Sequence, residues 1–264
     1  MRSEPPVRGR GGVEDGGRPP MPGAPRGTLV VTGASRGIGA ATGLAAAREG
    51  FAVCVNYRRD AAGAARVVAQ IRASGGIGEA VQADVASPEG AAHLFNEVDR
   101  LLPFPLTGLV NNAAVAGPRL RLDALPLSDL LDVLDTNLRG TLLCCREAVR
   151  RMGRDRGGRG GAIVNISSEA ARTGGRLLAA YVATKGAVNS FTAGFAREVA
   201  GDGIRVNAVS PGVIAAAPAA AEDWERFPMG RPGRPDEVAA TVLWLLSDAA
   251  SYVSGAIVPV HGAR

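Results

Sequence analysis

The sequence predicts a single doubly wound α/β domain, a seven-stranded parallel sheet with helices on both faces. Three observations carry this. From Thr28 onward, short apolar runs alternate with amphipathic stretches at the spacing of βαβ units. The first of these runs passes through a glycine-rich turn directly into a helical pattern. With 264 residues, 46% of them hydrophobic, and no second boundary or internal repeat, the chain fits one large domain. In order, the strands are expected over residues 28–32, 52–56, 79–83, 108–111, 162–166, 205–209 and 256–260. The helices are expected over 38–49, 61–73, 90–101, 127–152, 180–199 and 236–246. The run from Arg150 to Gly161 precedes the fifth strand and reads as a flexible surface loop.

Residues 1–27 are rich in Gly, Pro and Arg and lack hydrophobic periodicity, so they read as a disordered tail ahead of a domain over 28–264. They contain no apolar core of a secretory signal. No apolar run approaches the ~20 residues of a membrane span. Three cysteines, two of them adjacent at Cys144 and Cys145, form no disulfide framework, which points to a reducing cytoplasm. With two histidines and no Cys-x-x-Cys, no metal site is expected. The net charge of +5 invites a nucleic-acid reading, but aromatics are 4% of the chain and do not interleave with its Arg-rich patches. A solvated basic surface is the reading taken.

The glycine-rich turn is Thr32-Gly33-Ala34-Ser35-Arg36-Gly37-Ile38-Gly39. Gly33, Gly37 and Gly39 allow a tight turn and close approach of backbone to a pyrophosphate, for which the following helix N-terminus supplies N–H donors. The second strand ends Asn56-Tyr57-Arg58-Arg59, with no acid until Asp60. A carboxylate there would hold the 2′-hydroxyl of NAD and repel a 2′-phosphate, whereas arginine binds that phosphate with a charge-assisted fork. Arg58, with Arg36 in the glycine loop, therefore favours NADP.

The chain has one lysine, Lys185, against 29 arginines. A lone ammonium left in so arginine-rich a sequence points to a task that a guanidinium cannot perform. Lys185 follows Tyr181 by four residues, so on a helix the two side chains share a face. An ammonium beside a phenol stabilises the phenolate and is expected to lower a pKa otherwise near ~10, which makes tyrosine a proton donor and acceptor near neutrality.

The glycine loop, Asp84-Val85, Asn111-Asn112-Ala113-Ala114, Asn137, Ser168, the Tyr181/Lys185 pair and Ser210-Pro211-Gly212 resemble, in order and spacing, the short-chain dehydrogenase/reductase superfamily, from about Thr28 to the C-terminus. The likeness is greatest to the bacterial branch of β-ketoacyl carrier-protein reductases, glucose dehydrogenase-like enzymes and oxidoreductases of unassigned substrate. The resemblance implies a Rossmann domain and a catalytic set of Asn137, Ser168, Tyr181 and Lys185. Tyr181 matches the acid/base, and Lys185 holds the nicotinamide ribose. Ser168 binds the substrate oxygen, and Asn137 anchors a relay water. The implied cofactor contacts are Gly33, Ser35, Arg36, Gly37, Ile38, Gly39, Asn56, Tyr57, Arg58, Asp84, Val85, Asn112, Ala113, Pro211, Gly212 and Ile214, with Tyr181 and Lys185. It also implies a homotetramer acting on a small carbonyl or alcohol substrate.

Three departures stand out. The run Ile214-Ala215-Ala216-Ala217-Pro218 lacks the hydroxyl the family often has two positions past Ile214. The stretch from there to Pro228 is short for a substrate lid. The C-terminus reads Val260-His261-Gly262-Ala263 in place of Val-Asp-Gly-Gly. The expectation is an NADP(H)-dependent oxidoreductase interconverting a carbonyl and a secondary alcohol. An NAD-dependent alcohol or sugar dehydrogenase is the alternative enzyme. A catalytically weak cofactor-binding sensor or scaffold is the alternative from another class. Glu169 and Arg176 are expected to be solvated, with facing a polar substrate as the alternative.

Overall fold

The computed structural model describes residues 25–215 and 227–263. Residues 1–24 of the expected tail, and with them Ala216, Ala217 and most of the expected lid, lie outside the described residues. Arg26 and Gly27, assigned above to the tail, are described. The Arg26 N–H donates to the Gly50 carbonyl at 2.9 Å and its guanidinium lies over the Phe51 ring, 5.2 Å from the centroid. Residues assigned to the expected tail thus take part in the domain.

The strands are β1 (Thr28–Val31), β2 (Ala52–Tyr57), β3 (Ile77–Gln82), β4 (Leu106–Asn111), β5 (Gly161–Ile166), β6 (Ile204–Pro211) and β7 (Ile257–Val260). They form one parallel sheet in the order β3-β2-β1-β4-β5-β6-β7. Every residue of β1 is buried, as a central strand covered on both faces requires. Pro259 sits in the edge strand β7, where its missing N–H interrupts no inner ladder.

The helices are α1 (Gly37–Arg48), α2 (Ala61–Ala73), α3 (Pro88–Leu101), α4 (Leu127–Leu134), α5 (Gly140–Met152), α6 (Ala170–Thr173), α7 (Ala179–Glu198) and α8 (Pro235–Leu246). Several starts follow from capping chemistry. Asp60 accepts from the Gly63 N–H at 2.8 Å ahead of α2. Ser87 accepts from the Gly90 N–H at 3.0 Å ahead of α3, which then opens on Pro88 and Glu89. Successive strand residues point to opposite faces and feed two cores. Leu29, Val31, Val53 and Val55 pack with Ala46, Ile71 and Leu245 of α1, α2 and α8. Val30, Cys54, Leu109 and Ile163 pack with Phe95, Cys145 and Ala196 of α3, α5 and α7.

Element boundaries move by two residues at most from those expected, with one exception. The helix expected over 127–152 is broken into α4 and α5 by a π-helical segment at Asp135–Arg139. The backbone stays right-handed helical throughout, with φ −67°, ψ −45° at Asp135 and φ −59°, ψ −42° at Gly140, so the amphipathic pattern carries no mark of the break. The expected loop is also shorter, because Arg150 and Arg151 complete α5 and form ion pairs with Glu147.

Candidate active site

The strand order reverses at β1, whose neighbours are β2 and β4, and a crevice opens beyond the C-terminal ends of these strands. A cavity of about 600 Å³ lies there, lined by the glycine loop, the end of β2, Asp84, Val85 and residues 112–115. Gly33 and Gly37 have φ of +61° and +59°, which favour glycine. A Cβ on Gly33 would stand 2.8 Å from Ala113 Cα, and one on Gly39 would stand 2.5 Å from Asn112 Nδ2. Nothing lies within 4 Å of the Cβ direction of Gly37. The loop is thus packed tightly from below at Gly33 and Gly39 and is open at Gly37. The first turn of α1 has no side-chain cap, which leaves its N–H groups for an anionic ligand.

Polar side chains fix the loop from beneath. Asn56 is buried; its Oδ1 accepts from the Gly33 N–H at 3.2 Å and its Nδ2 donates to the Val81 and Ala83 carbonyls at 3.3 and 3.2 Å. It therefore supports the loop with an amide whose donors are both engaged. Thr32, not singled out from the sequence, accepts at Oγ1 from the N–H groups of Asn112 and Ala113 at 2.9 and 3.0 Å. Asn112 Nδ2 donates back to the Thr32 and Gly33 carbonyls, each at 2.9 Å. The only sequence signal for Thr32 is a hydroxyl where a buried strand meets the turn.

On the β2 side, Ser35, Arg36, Tyr57 and Arg58 line the cavity. Arg58 is not a solvated cation: its Nη1 lies 3.2 Å from Asp132 Oδ1 and 3.7 Å from Asp84 Oδ2. Asp84 also accepts at Oδ1 from the Ala86 N–H at 3.0 Å.

Toward the other end, Tyr181 and Lys185 lie one turn apart on α7, and Ser168 follows β5. The Ser168 hydroxyl lies near enough to the Tyr181 phenol to favour its ionised form. The neighbouring Ser167 is buried and donates to the Lys185 carbonyl at 3.3 Å, so of the serine pair it is Ser168 that faces the phenol. Lys185 is buried; its ammonium donates to the Ile166 carbonyl at 2.6 Å and lies 5.7 Å from the Tyr181 ring centroid. Burial brings the lysine pKa down to about 8. It also pushes the Tyr181 phenol above its ordinary value, an effect the Ser168 hydroxyl opposes. The expected depression of the phenol is therefore not present in this geometry. Desolvation of the ring dominates, and the ammonium is directed at a main-chain carbonyl.

Further polar ties hold α7 against its neighbours. Besides Ser167, Asn165 Nδ2 donates to Thr192 Oγ1 at 2.9 Å, and Asn137 Nδ2 donates to Thr184 Oγ1 at 3.2 Å. Asn137 sits in the π-helical segment. Its amide also spans Val115, accepting from the N–H at 2.8 Å and donating to the carbonyl at 2.9 Å. Both Asn137 side-chain donors are thus engaged by protein, and the residue joins Val115 to α7.

Pro211 is buried, its carbonyl accepting from the Glu169 N–H at 2.9 Å, and Gly212 donates to the Val260 carbonyl at 3.0 Å. A side chain at 212 would meet His261, whose Cβ lies 2.8 Å away from that position. Ile214 bridges to Gly233. Glu169, expected to be solvated, is buried: Arg172 Nε donates to its Oε1 at 2.6 Å, and His261 Nε2 lies 3.9 Å from its Oε2. Arg176 is exposed as expected. Among the described residues no group of His, Cys, Asp and Glu could hold a metal ion, and no helix is long and apolar enough to cross a membrane.

A family model described as Enoyl-(Acyl carrier protein) reductase matches residues 33–262. An oxidoreductase of Escherichia coli strain K12, YgfF, is 42% identical over 89% of this chain and 98% of its own length. A 3-oxoacyl-[acyl-carrier-protein] reductase of Synechocystis is 41% identical over 88% of this chain and 94% of its own. The crystal structure of an acetoin dehydrogenase from Enterobacter cloacae superimposes with a TM-score of 0.82 at 33% identity, covering 90% of this chain and 94% of that one.

Proposed function

This chain belongs to the short-chain dehydrogenase/reductase family of oxidoreductases, and on that premise we propose that it interconverts a carbonyl and a secondary alcohol with NADP(H), using Ser168, Tyr181 and Lys185. The observation that carries this reading is the convergence of the two hydroxyls of Ser168 and Tyr181 beside the buried ammonium of Lys185. The names of the similar proteins, a 3-oxoacyl carrier-protein reductase and an acetoin dehydrogenase, support a ketone/alcohol pair as the substrate class.

The residues fit a nicotinamide dinucleotide. Gly33, Gly37, Gly39 and the uncapped start of α1 would receive the pyrophosphate. Lys185 has two N–H donors beyond the one given to Ile166, enough for ribose hydroxyls. Asp84, Val85, Asn112 and Ala113 would border the adenosine, and Pro211, Gly212 and Ile214 the nicotinamide. The 2′-phosphate would fall to the arginines of the loop and of the end of β2, of which Arg36 and Arg59 have no ion pair among the described residues. When bound, the nicotinamide supplies or accepts the hydride. Ser168 and Tyr181 donate hydrogen bonds to the substrate oxygen, where negative charge develops, and Tyr181 delivers the proton. Lys185, mostly protonated at neutral pH, stabilises the phenolate that remains. Asn137 keeps Val115 and α7 in register.

The exposed leucines 127, 131 and 142 on α4 and α5 support a homotetramer. The three buried free thiols, Cys54, Cys144 and Cys145, suit a reducing cytoplasm. The test is oxidation of NADPH and of NADH with a panel of β-ketoesters, diketones and quinones. Turnover of at least one ketone with NADPH preferred is the expected result. Binding of both cofactors with no turnover of any carbonyl would instead favour a sensor or scaffold.

A further inference from the structure

We propose that Asp132 is a specificity-determining residue that restrains Arg58 and so limits how strongly this site favours a phosphorylated over an unphosphorylated adenosine ribose. The inference rests on the cofactor site proposed above. Three elements converge here: Arg58 from the end of β2, Asp84 from the loop after β3, and Asp132 from α4. The guanidinium lies between the two carboxylates, 3.2 Å from Asp132 and 3.7 Å from Asp84. Its main chain is fixed as well, because the Arg58 carbonyl accepts from Gln82 Nε2 at 3.1 Å. The Arg58 side chain is 28% exposed and each carboxylate 49% exposed, so the pairs are only partly screened by water.

Asp132 is held from its own side. Thr136, one turn further on and lining the same cavity, donates to its Oδ1 at 3.5 Å. Arg36 and Arg59 line the cavity with no ion-paired partner among the described residues, and Asp60 is engaged in capping α2. The three arginines at this end are thus unequal. A 2′-phosphate meets Arg36 and Arg59 as free cations, but at Arg58 it must compete with two carboxylates for the guanidinium. A 2′-hydroxyl carries no charge and gains nothing from that exchange. Asp132 therefore lowers the affinity for NADP(H) while leaving that for NAD(H) nearly unaffected. Asp84 has a second task in holding the Ala86 N–H, so Asp132 is the partner whose charge can be removed cleanly.

The experiment is direct titration of NADPH and NADH into the full chain as wild type, Asp132→Asn, Arg58→Ala and the double variant. Asp132→Asn keeps the shape and a hydrogen-bond partner for Thr136 but releases the guanidinium. NADPH should then bind roughly 5- to 20-fold more tightly, with NADH changed less than about twofold. In the Arg58→Ala background the same substitution should change NADPH binding by less than about twofold. A gain of equal size without Arg58 would overturn the proposal, because the carboxylate would then act by general repulsion of the phosphate. An unchanged NADPH-to-NADH ratio in Asp132→Asn would also overturn it. A wild type that prefers NADH would refute the NADP(H) assignment alone, since the ratio between variants still reads the effect of Asp132. No measurable binding of either cofactor by any variant would overturn both.

Discussion

The ammonium of Lys185 donates a 2.6 Å hydrogen bond to the carbonyl of Ile166, the last residue of β5. This contact places the one lysine of the chain beside Ser168 and beneath Tyr181, in a setting where burial disfavours its charge. Its folded pKa of about 8 lies below the ordinary lysine value. Between these two values the unfolded chain binds the proton and the folded chain does not, so stability rises as pH climbs through that window. Below the folded value both states are protonated, and the burial cost stands in full, on the order of 3 kcal/mol. Wild type should therefore gain about 2 kcal/mol relative to Lys185→Met between pH 7 and pH 10 in denaturant titrations. A pH-independent difference between the two proteins would refute the assigned titration.

The same titration bears on activity. In the proposed mechanism, reduction uses a protonated Tyr181 and a charged Lys185. The phenol pKa is raised and the lysine pKa is about 8. The profile of kcat/KM for ketone reduction should be flat near neutrality and fall above about pH 8, since this parameter reports groups of the free enzyme. A profile that rises across that range contradicts the protonation states assigned here. Lys185→Arg should restore the charge but not the activity, because a planar guanidinium does not reproduce a compact ammonium between Ile166 and the phenol.

Thr184 links two parts of the site. It donates to the Tyr181 carbonyl at 2.7 Å and accepts from Asn137 Nδ2 at 3.2 Å. Thr184→Val keeps the shape but leaves a buried amide donor unpaired, which should cost about 1–3 kcal/mol. Thermal melts should show that loss together with a lower kcat. A variant as stable and active as wild type would mean that the Asn137 link does not position α7.

Much of this was legible in the sequence, because it depends on local pattern. The βαβ alternation, the glycine turn and the i, i+4 spacing of Tyr181 and Lys185 are all short-range signals. What escaped depends on long-range or purely conformational facts. The π-helical insertion at Asp135–Arg139 keeps right-handed helical dihedrals and needs no Gly or Pro, so periodicity runs through it. The pairing of Arg58 with Asp132 joins residues 74 apart in sequence, and an arginine after a strand reads the same whether free or paired. Glu169 was read as solvated because carboxylates usually are, yet Arg172 and His261 accompany its burial. Spacing reveals the proximity of Tyr181 to Lys185 but not how much water the phenol loses, and that loss raises its pKa.

The arginines at the adenosine end should separate on mutation. Arg36 has no ion pair among the described residues, whereas Arg58 is held by two carboxylates. Arg36→Ala should therefore weaken NADPH binding roughly 10-fold or more, and Arg58→Ala by less, with NADH little changed in both. Calorimetric titration of the two variants distinguishes them, and a larger loss for Arg58→Ala would reverse the order argued here.

Gly39 offers a steric test. A methyl there would stand 2.5 Å from Asn112 Nδ2 and 2.7 Å from the Gly33 carbonyl, both held by the network under the loop. Gly39→Ala should displace the loop and weaken both cofactors alike, unlike the arginine variants. Selective loss of NADPH alone in this variant would contradict a shared pyrophosphate cradle.

The most direct measurement of the central claim is NADPH oxidation by wild type and Tyr181→Phe with a ketone that wild type reduces, alongside NADPH binding to both. The substitution removes the hydroxyl proposed as proton donor while keeping the ring and its packing. The account predicts a fall of roughly 10²- to 10⁴-fold in kcat with cofactor affinity retained. Retention of more than about a tenth of the wild-type turnover by Tyr181→Phe would contradict the assignment of Tyr181 as the proton donor.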